Sequence, residues 1–232
     1  MTDAFEEVEE TIRRERLATG MRRFGPIILA VIAAIVVGIL AYEGYKGWQA
    51  NQNGLYAAEL VKGQDLLEAG KSEEAMKAFK DLAAKAGPGY KALAHMEMGG
   101  VYVAAKDFKA AIASYEAAAK LAKDPIARDS AVIRAAYLAA ETEPYAAVEA
   151  RVKPLIDQSS AYAFLARELL GFEAMKAGDA AKARENFEFL TLALDAPEGV
   201  RLRAQSALAL LGPAPAKSAQ PAASGKPATA KP

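Results

Sequence analysis

No cysteine and only one histidine, His95, occur in the 232 residues. The first absence removes thiol nucleophiles, disulfides and thiolate zinc sites, and it is compatible with an oxidising compartment, where no stray thiol then needs managing. The second leaves a histidine-dependent triad only through His95, and no Asp, Glu and nucleophile converge on it at a recognisable spacing. His95 is therefore read as a packed or hydrogen-bonded side chain on a helix. Glu73, Glu74, Glu116, Glu141 and Glu143 read as surface charges on helices or turns, and none forms a metal-ligand set. No catalytic residue, metal, cofactor or small-molecule substrate is assigned, and the chain is not expected to be an enzyme. An excess of one charge is missing too. The 29 basic and 29 acidic side chains cancel, and no stretch is dense enough in Lys and Arg to hold a phosphate backbone. Nucleic acid is excluded as a partner.

What is present is alanine and helix. Apolar residues make up 53% of the chain, with alanine dominant, and β-branched and aromatic residues are thin outside one segment. The length suits one domain with appendages. That exceptional segment, Phe24 to Tyr42, runs uncharged between Arg23 and Glu43. As a helix its nineteen residues reach roughly 28 Å, close to the hydrocarbon thickness of a bilayer. Pro26 suits a first helical turn, and Tyr42, Tyr45 and Trp48 cluster where an interfacial aromatic belt would lie. A cleaved signal peptide is the competing reading. Its hydrophobic region is usually shorter, and no small-x-small cleavage pattern follows here, so an uncleaved anchor is favoured. Arg13, Arg14, Arg16, Arg22 and Arg23 precede the run, whereas Lys46 is the one basic residue close behind it, which predicts a cytoplasmic N-terminus and an exported C-terminal part. Ala30, Ala34 and Gly38 fall at i, i+4 and i+8 and form a small-residue stripe where another spanning helix could pack.

Beyond Leu55 the chain returns to one pattern every 36 residues. Gly63, Gly99 and Gly171 share a slot, with Ala135 in the vacant place. Ala75, Ala111, Ala147 and Ala183 share another, followed four residues later by Phe79, Tyr115, Arg151 and Phe187, and three after those by Leu82, Ala118, Pro154 and Leu190. Each unit reads as a helical hairpin: a small residue in the first helix admits the second, and the aromatic fills the space between. Arg151 and Pro154 make the third unit degenerate and leave the length of its second helix open. Val200 to Leu211 supply one more amphipathic helix to cover the last apolar face. The organisation expected is a cytoplasmic segment (1–23), a transmembrane helix (24–42), a juxtamembrane linker (43–54), a repeat domain (55–211) and a disordered Pro/Ala/Lys-rich tail (212–232). The fold class is all-α: one N-terminal transmembrane helix, then an α-solenoid of about four hairpins plus a terminal helix.

At these slots the sequence resembles the tetratricopeptide repeat, most clearly in DFKAAIASYEAA from Asp107 to Ala118. That resemblance implies a concave face lined by Leu60, Gln64 and Leu67; Met96, Gly100 and Val103; Val132, Ala136 and Ala139; and Leu165, Phe172 and Met175. Almost all are apolar or small. Leu60 and Asp129 stand where one class of such repeats uses side chains that grip a peptide carboxylate. Such a wall either receives apolar segments of extended chains, with methionines supplying adaptability, or is core covered by the terminal helix, a second subunit or tighter curvature. Anchor, linker and repeats together resemble the ancillary subunit family of the bacterial Sec translocon (YfgM-like). This implies an inner-membrane protein with a periplasmic repeat domain and a chaperone-like role. Its partners would be translocon subunits, a membrane-anchored periplasmic prolyl isomerase and unfolded secretory clients. A scaffold or adaptor for a cell-envelope or division complex is the alternative.

Overall fold

The computed structural model describes the backbone of residues 3–213 and the side chains of residues 30, 31 and 33–213. Every regular element among them is an α-helix: α1 (Asp3–Glu68), α2 (Ser72–Lys85), α3 (Pro88–Ala104), α4 (Phe108–Leu121), α5 (Pro125–Thr142), α6 (Tyr145–Asp157), α7 (Ala163–Lys176), α8 (Ala180–Leu192) and α9 (Glu198–Leu211). The tail from residue 214 onward lies outside the described residues.

Two compact units divide the chain, Met1–Val61 and Lys62–Pro232, and the division falls within α1. The first unit is helical from Asp3 on, so residues 43–54, assigned to a linker, are helix. Its described apolar side chains as far as Leu55 are exposed, among them Ile35, Val37 and Leu40, then Tyr42, Tyr45 and Trp48. The Tyr45 and Trp48 rings lie 6.1 Å apart. Among the described residues no helix is long and apolar enough to cross a membrane. The side chains of 24–29 and of Ile32, part of the 24–42 run, are outside the described residues, as are those of the 1–23 segment.

In the second unit each helix packs on its neighbours in chain order, α5 also meets α7, and α7 meets α9. These next-but-one contacts are those of stacked hairpins. The pairs are the end of α1 with α2, α3 with α4, α5 with α6, and α7 with α8; α9 closes the stack. The turns inside three pairs share one device. Gly70, Lys106 and Gly178 take left-handed φ values of 75°, 59° and 77°. The next amide then donates back to the carbonyl five residues earlier: Lys71 to Leu66 at 2.8 Å, Asp107 to Tyr102 and Asp179 to Ala174 at 2.9 Å. This is the Schellman closure, which satisfies carbonyls that a helix end would otherwise strand. Asp107 and Asp179 then cap the following helix through the amides of Ala110 (3.1 Å) and Lys182 (3.0 Å).

The third pair departs from this pattern, and the departure corrects the sequence reading. Its turn, through Glu143 and Pro144, places the start of α6 at Tyr145, 37 residues after that of α4, whereas α4 starts 36 after α2. One additional residue between the helix slots, Ala135 and Val148 being 13 apart where Gly99 and Ala111 are 12, rotates α6 by one position. The buried residues of α6 are Val148, Val152 and Leu155, in the slots filled elsewhere by Ala, aromatic and Leu or Ala. Arg151 and Pro154 therefore do not occupy the core slots that strict periodicity gave them. Pro154 is exposed, and the helix passes through it to Asp157. Leu155 and Gly171 are then 16 residues apart, where Leu82 and Gly99 are 17 apart, and Gly171 returns to register.

A candidate protein-binding face

Three glycines of the first helices exist because rings lie on them. A β-carbon at Gly99 would sit 2.5 Å from Cε1 of Tyr115, and one at Gly171 2.6 Å from Cε1 of Phe187; Gly63 stands in the same relation to Phe79. Those distances are far inside van der Waals contact, so only glycine lets the two helices approach with the ring between them. The third pair has Val152 in the aromatic slot, a smaller side chain, and residue 135 can be alanine. Phe79, Phe187 and Val152 have no exposed surface. These contacts lock each second helix onto the first helix of its own pair.

Along that wall in the second unit, Gln64, Leu67, Met96, Val103, Val132, Leu165 and Met175 are half-buried, and Gly100 and Phe172 are exposed. Met96, Val103, Val132 and Leu165 rest on a continuous core of α4 to α7 side chains with one flank outward. Phe172 meets Phe187 edge to face at 5.0 Å, which braces a ring that remains 42% exposed. Leu60 belongs to the first unit, where it is half-buried.

Three positions differ from the reading of an open apolar wall. Ala136 and Ala139 have no exposed surface: they are part of the core, because so small a side chain lets neighbouring helices close over it. Gln64 is engaged, its Nε2 donating to Glu97 Oε1 at 2.7 Å.

One wall residue was missed. Glu168 lies one 36-residue period after Val132, in the series Leu60, Met96, Val132, and it is buried in α7. Arg203 of α9 donates to it through Nε at 2.6 Å and through a terminal nitrogen at 2.9 Å. The period alone would have found it; the expectation of an apolar wall passed it over. Hydrogen bonding to Glu168 raises the Arg203 pKa above its ordinary value, so the guanidinium keeps its charge. Tyr137 of α5 lies near it: burial first, then the Glu168 charge, raises that phenol, with Arg203 opposing. Asp129, also buried, accepts from Ser160 Oγ at 2.6 Å and from Arg128 Nε at 2.9 Å. Lys176 donates to the Ala140 carbonyl near the end of α5. These polar groups join adjacent pairs and hold their spacing.

His95, in α3, is half-buried with Nδ1 lacking a hydrogen-bond partner. Burial, then the Lys91 charge, lowers its pKa, so the neutral imidazole is favoured. Among the described residues no group of three or more His, Asp or Glu side chains could hold a metal ion.

Stacked hairpins with a partly open, largely apolar inner wall define a helical-repeat protein of the kind that binds other proteins. Residues 21–206 match the family described as Tetratricopeptide repeat-like domain, and the chain belongs to that family. Neither the curated proteins nor the solved structures yield a match.

Proposed function

We propose that this is a single-pass protein of the bacterial inner membrane, with its N-terminus cytoplasmic and its repeats periplasmic. The repeats hold segments of secretory proteins as they leave the Sec translocon, in company with translocon subunits and a membrane-anchored prolyl isomerase. One observation carries the reading: a half-exposed apolar wall on a repeat fold follows an uncharged nineteen-residue run that arginines flank on one side. The matched family region begins at residue 21 and therefore takes in both the run and the repeats, which supports treating them as one working unit. A site tethered at the membrane meets emerging chains at high effective concentration, so weak apolar contacts suffice and catalysis is not needed. Lateral contact with a spanning partner falls to the Ala30, Ala34 and Gly38 stripe.

The test is crosslinking in living cells from a photoreactive residue at Leu67 or Val103, with the captured proteins identified. Unfolded secretory chains and translocon subunits are the expected catch. Capture of one folded envelope or division complex in their place would replace this reading with that of a scaffold. The apolar side chains at the far end of the stack, Leu192, Leu194 and Leu210, which are at least 80% exposed, favour that second reading, since an assembly scaffold docks folded partners by such patches. Protease added outside spheroplasts should digest the repeats, and protection there would overturn the orientation.

A further inference from the structure

The third pair, alone among the four in carrying no ring between its helices, also borders a cavity. It has a volume of about 470 Å³ and lies between α4, α5 and α6. Ala119 of α4 and Ala122 just past its end, with Val132 and Ala135 of α5, give it a mainly apolar wall, and Val132 belongs to the inner face described above. Arg151, displaced from the core by the one-residue slip, forms one side. Its guanidinium is taken up by Glu116 and Glu143, each at 2.9 Å. Burial opposes its charge, but the hydrogen bonds it donates to Glu143 and Glu116 outweigh that and raise its pKa. Arg151 is thus a fixed strut and not a free cation. The unspent charge at the rim is that of Lys120, which forms no ion pair among the described residues, and of Arg128, which gives Asp129 only its Nε hydrogen.

We infer that this cavity is a specificity pocket for an aromatic side chain of a bound polypeptide, flanked in that polypeptide by a carboxylate. The small side chains of the wall, Ala119, Ala122, Val132 and Ala135, leave apolar space that a ring from outside can enter. Lys120 and the terminal nitrogens of Arg128 at the rim match an adjoining acidic group. The inference rests on the reading that the repeats bind polypeptides and adds a preference that the apolar wall by itself does not impose.

The probe is a fluorescein-labelled Gly-Glu-Phe-Glu-Gly peptide, titrated by anisotropy against the full chain in detergent. Saturable binding is expected. Replacing the peptide's Phe by Ala, or both Glu by Gln, should weaken it about tenfold or more, the scale of one lost anchor or one lost charged contact. Ala119→Phe, which places a ring of the protein's own in the cavity, should do the same with helicity unchanged. Lys120→Glu, at an exposed site, should weaken the acidic peptide and leave the Gln peptide unaffected. Equal affinity for the Phe and Ala peptides, undiminished binding by Ala119→Phe, or no binding of the probe at all would overturn the pocket. Leu67 and Val103 do not line the cavity, so crosslinks from them to secretory chains would persist in that case, and the two proposals fail separately.

Discussion

Arg203 in the last helix and Glu168 in α7 form a two-point ion pair, 2.6 and 2.9 Å, in which the carboxylate side chain is 4% exposed and the guanidinium side chain 54%. The asymmetry decides what each half does. Glu168 depends on its partner, because a buried carboxylate without one bears its full desolvation cost, whereas Arg203 keeps most of its hydration.

Arg203→Met should therefore lower stability by about 1–3 kcal/mol in urea denaturation, the cost of stranding a buried charge. The double variant Glu168→Leu with Arg203→Met should recover most of that loss, because replacing a buried pair by apolar groups is often nearly neutral. An equal loss in both would mean that packing of α9, and not charge, was being measured.

At Gly171 two effects of known size compete. Alanine improves helix propensity by about 1 kcal/mol, but its β-carbon would lie 2.6 Å from the Phe187 ring, and overpacking of this kind typically costs about 1–3 kcal/mol. With Phe187 wholly enclosed, the steric effect should win and Gly171→Ala should lower the melting temperature. Adding Phe187→Leu should make the alanine neutral or favourable. Ala135→Gly, where no ring presses, should be destabilising, by the propensity term of about 1 kcal/mol and about as much again for the buried methyl.

Lys106 holds the left-handed turn that Gly70 and Gly178 hold in sister units, at φ 59°. A side chain in that conformation costs roughly 1–2 kcal/mol. Lys106→Gly should raise stability by a part of that, because glycine also gains freedom in the unfolded chain. A lower melting temperature for this variant would contradict the turn geometry.

The lone histidine gives a pH signature. Its pKa is lowered in the fold, first by burial and then by Lys91. A depressed pKa means that the unfolded chain binds the proton more readily. His95 thus contributes full stability above its unfolded pKa of about 6.5, and that stability is lost as pH falls below this value towards the folded pKa. Melting temperatures at pH 7.5 and 5.5 should fall more for the parent than for His95→Gln. Identical slopes would show that the imidazole does not lose hydration on folding.

Much of this molecule was legible in one dimension, and the reason is periodicity. A hairpin stack repeats the same close crossing, so Gly at 63, 99 and 171 and Ala at 75, 111 and 183 mark the same contact, and their spacing carried the fold without any long-range pairing. The terminal helix was legible too, as an apolar stripe that α9 buries through Val200, Ala204 and Ala207. Periodicity was weakest where the turn changes length. Arg151 and Pro154 looked like damaged core positions, yet a single added residue before Tyr145 had moved Val148, Val152 and Leu155 into their places.

The sequence by itself determined the helices, their pairing and the family, because each depends on residues a fixed short distance apart. The tertiary structure alone decided which wall positions stay open. Ala136 and Ala139 close while Phe172 remains out, and Glu168 is drawn to Arg203, 35 residues away. Exposure is a property of how neighbouring helices meet and not of any residue's own type, so the same small or apolar side chain serves as core in one pair and as surface in the next.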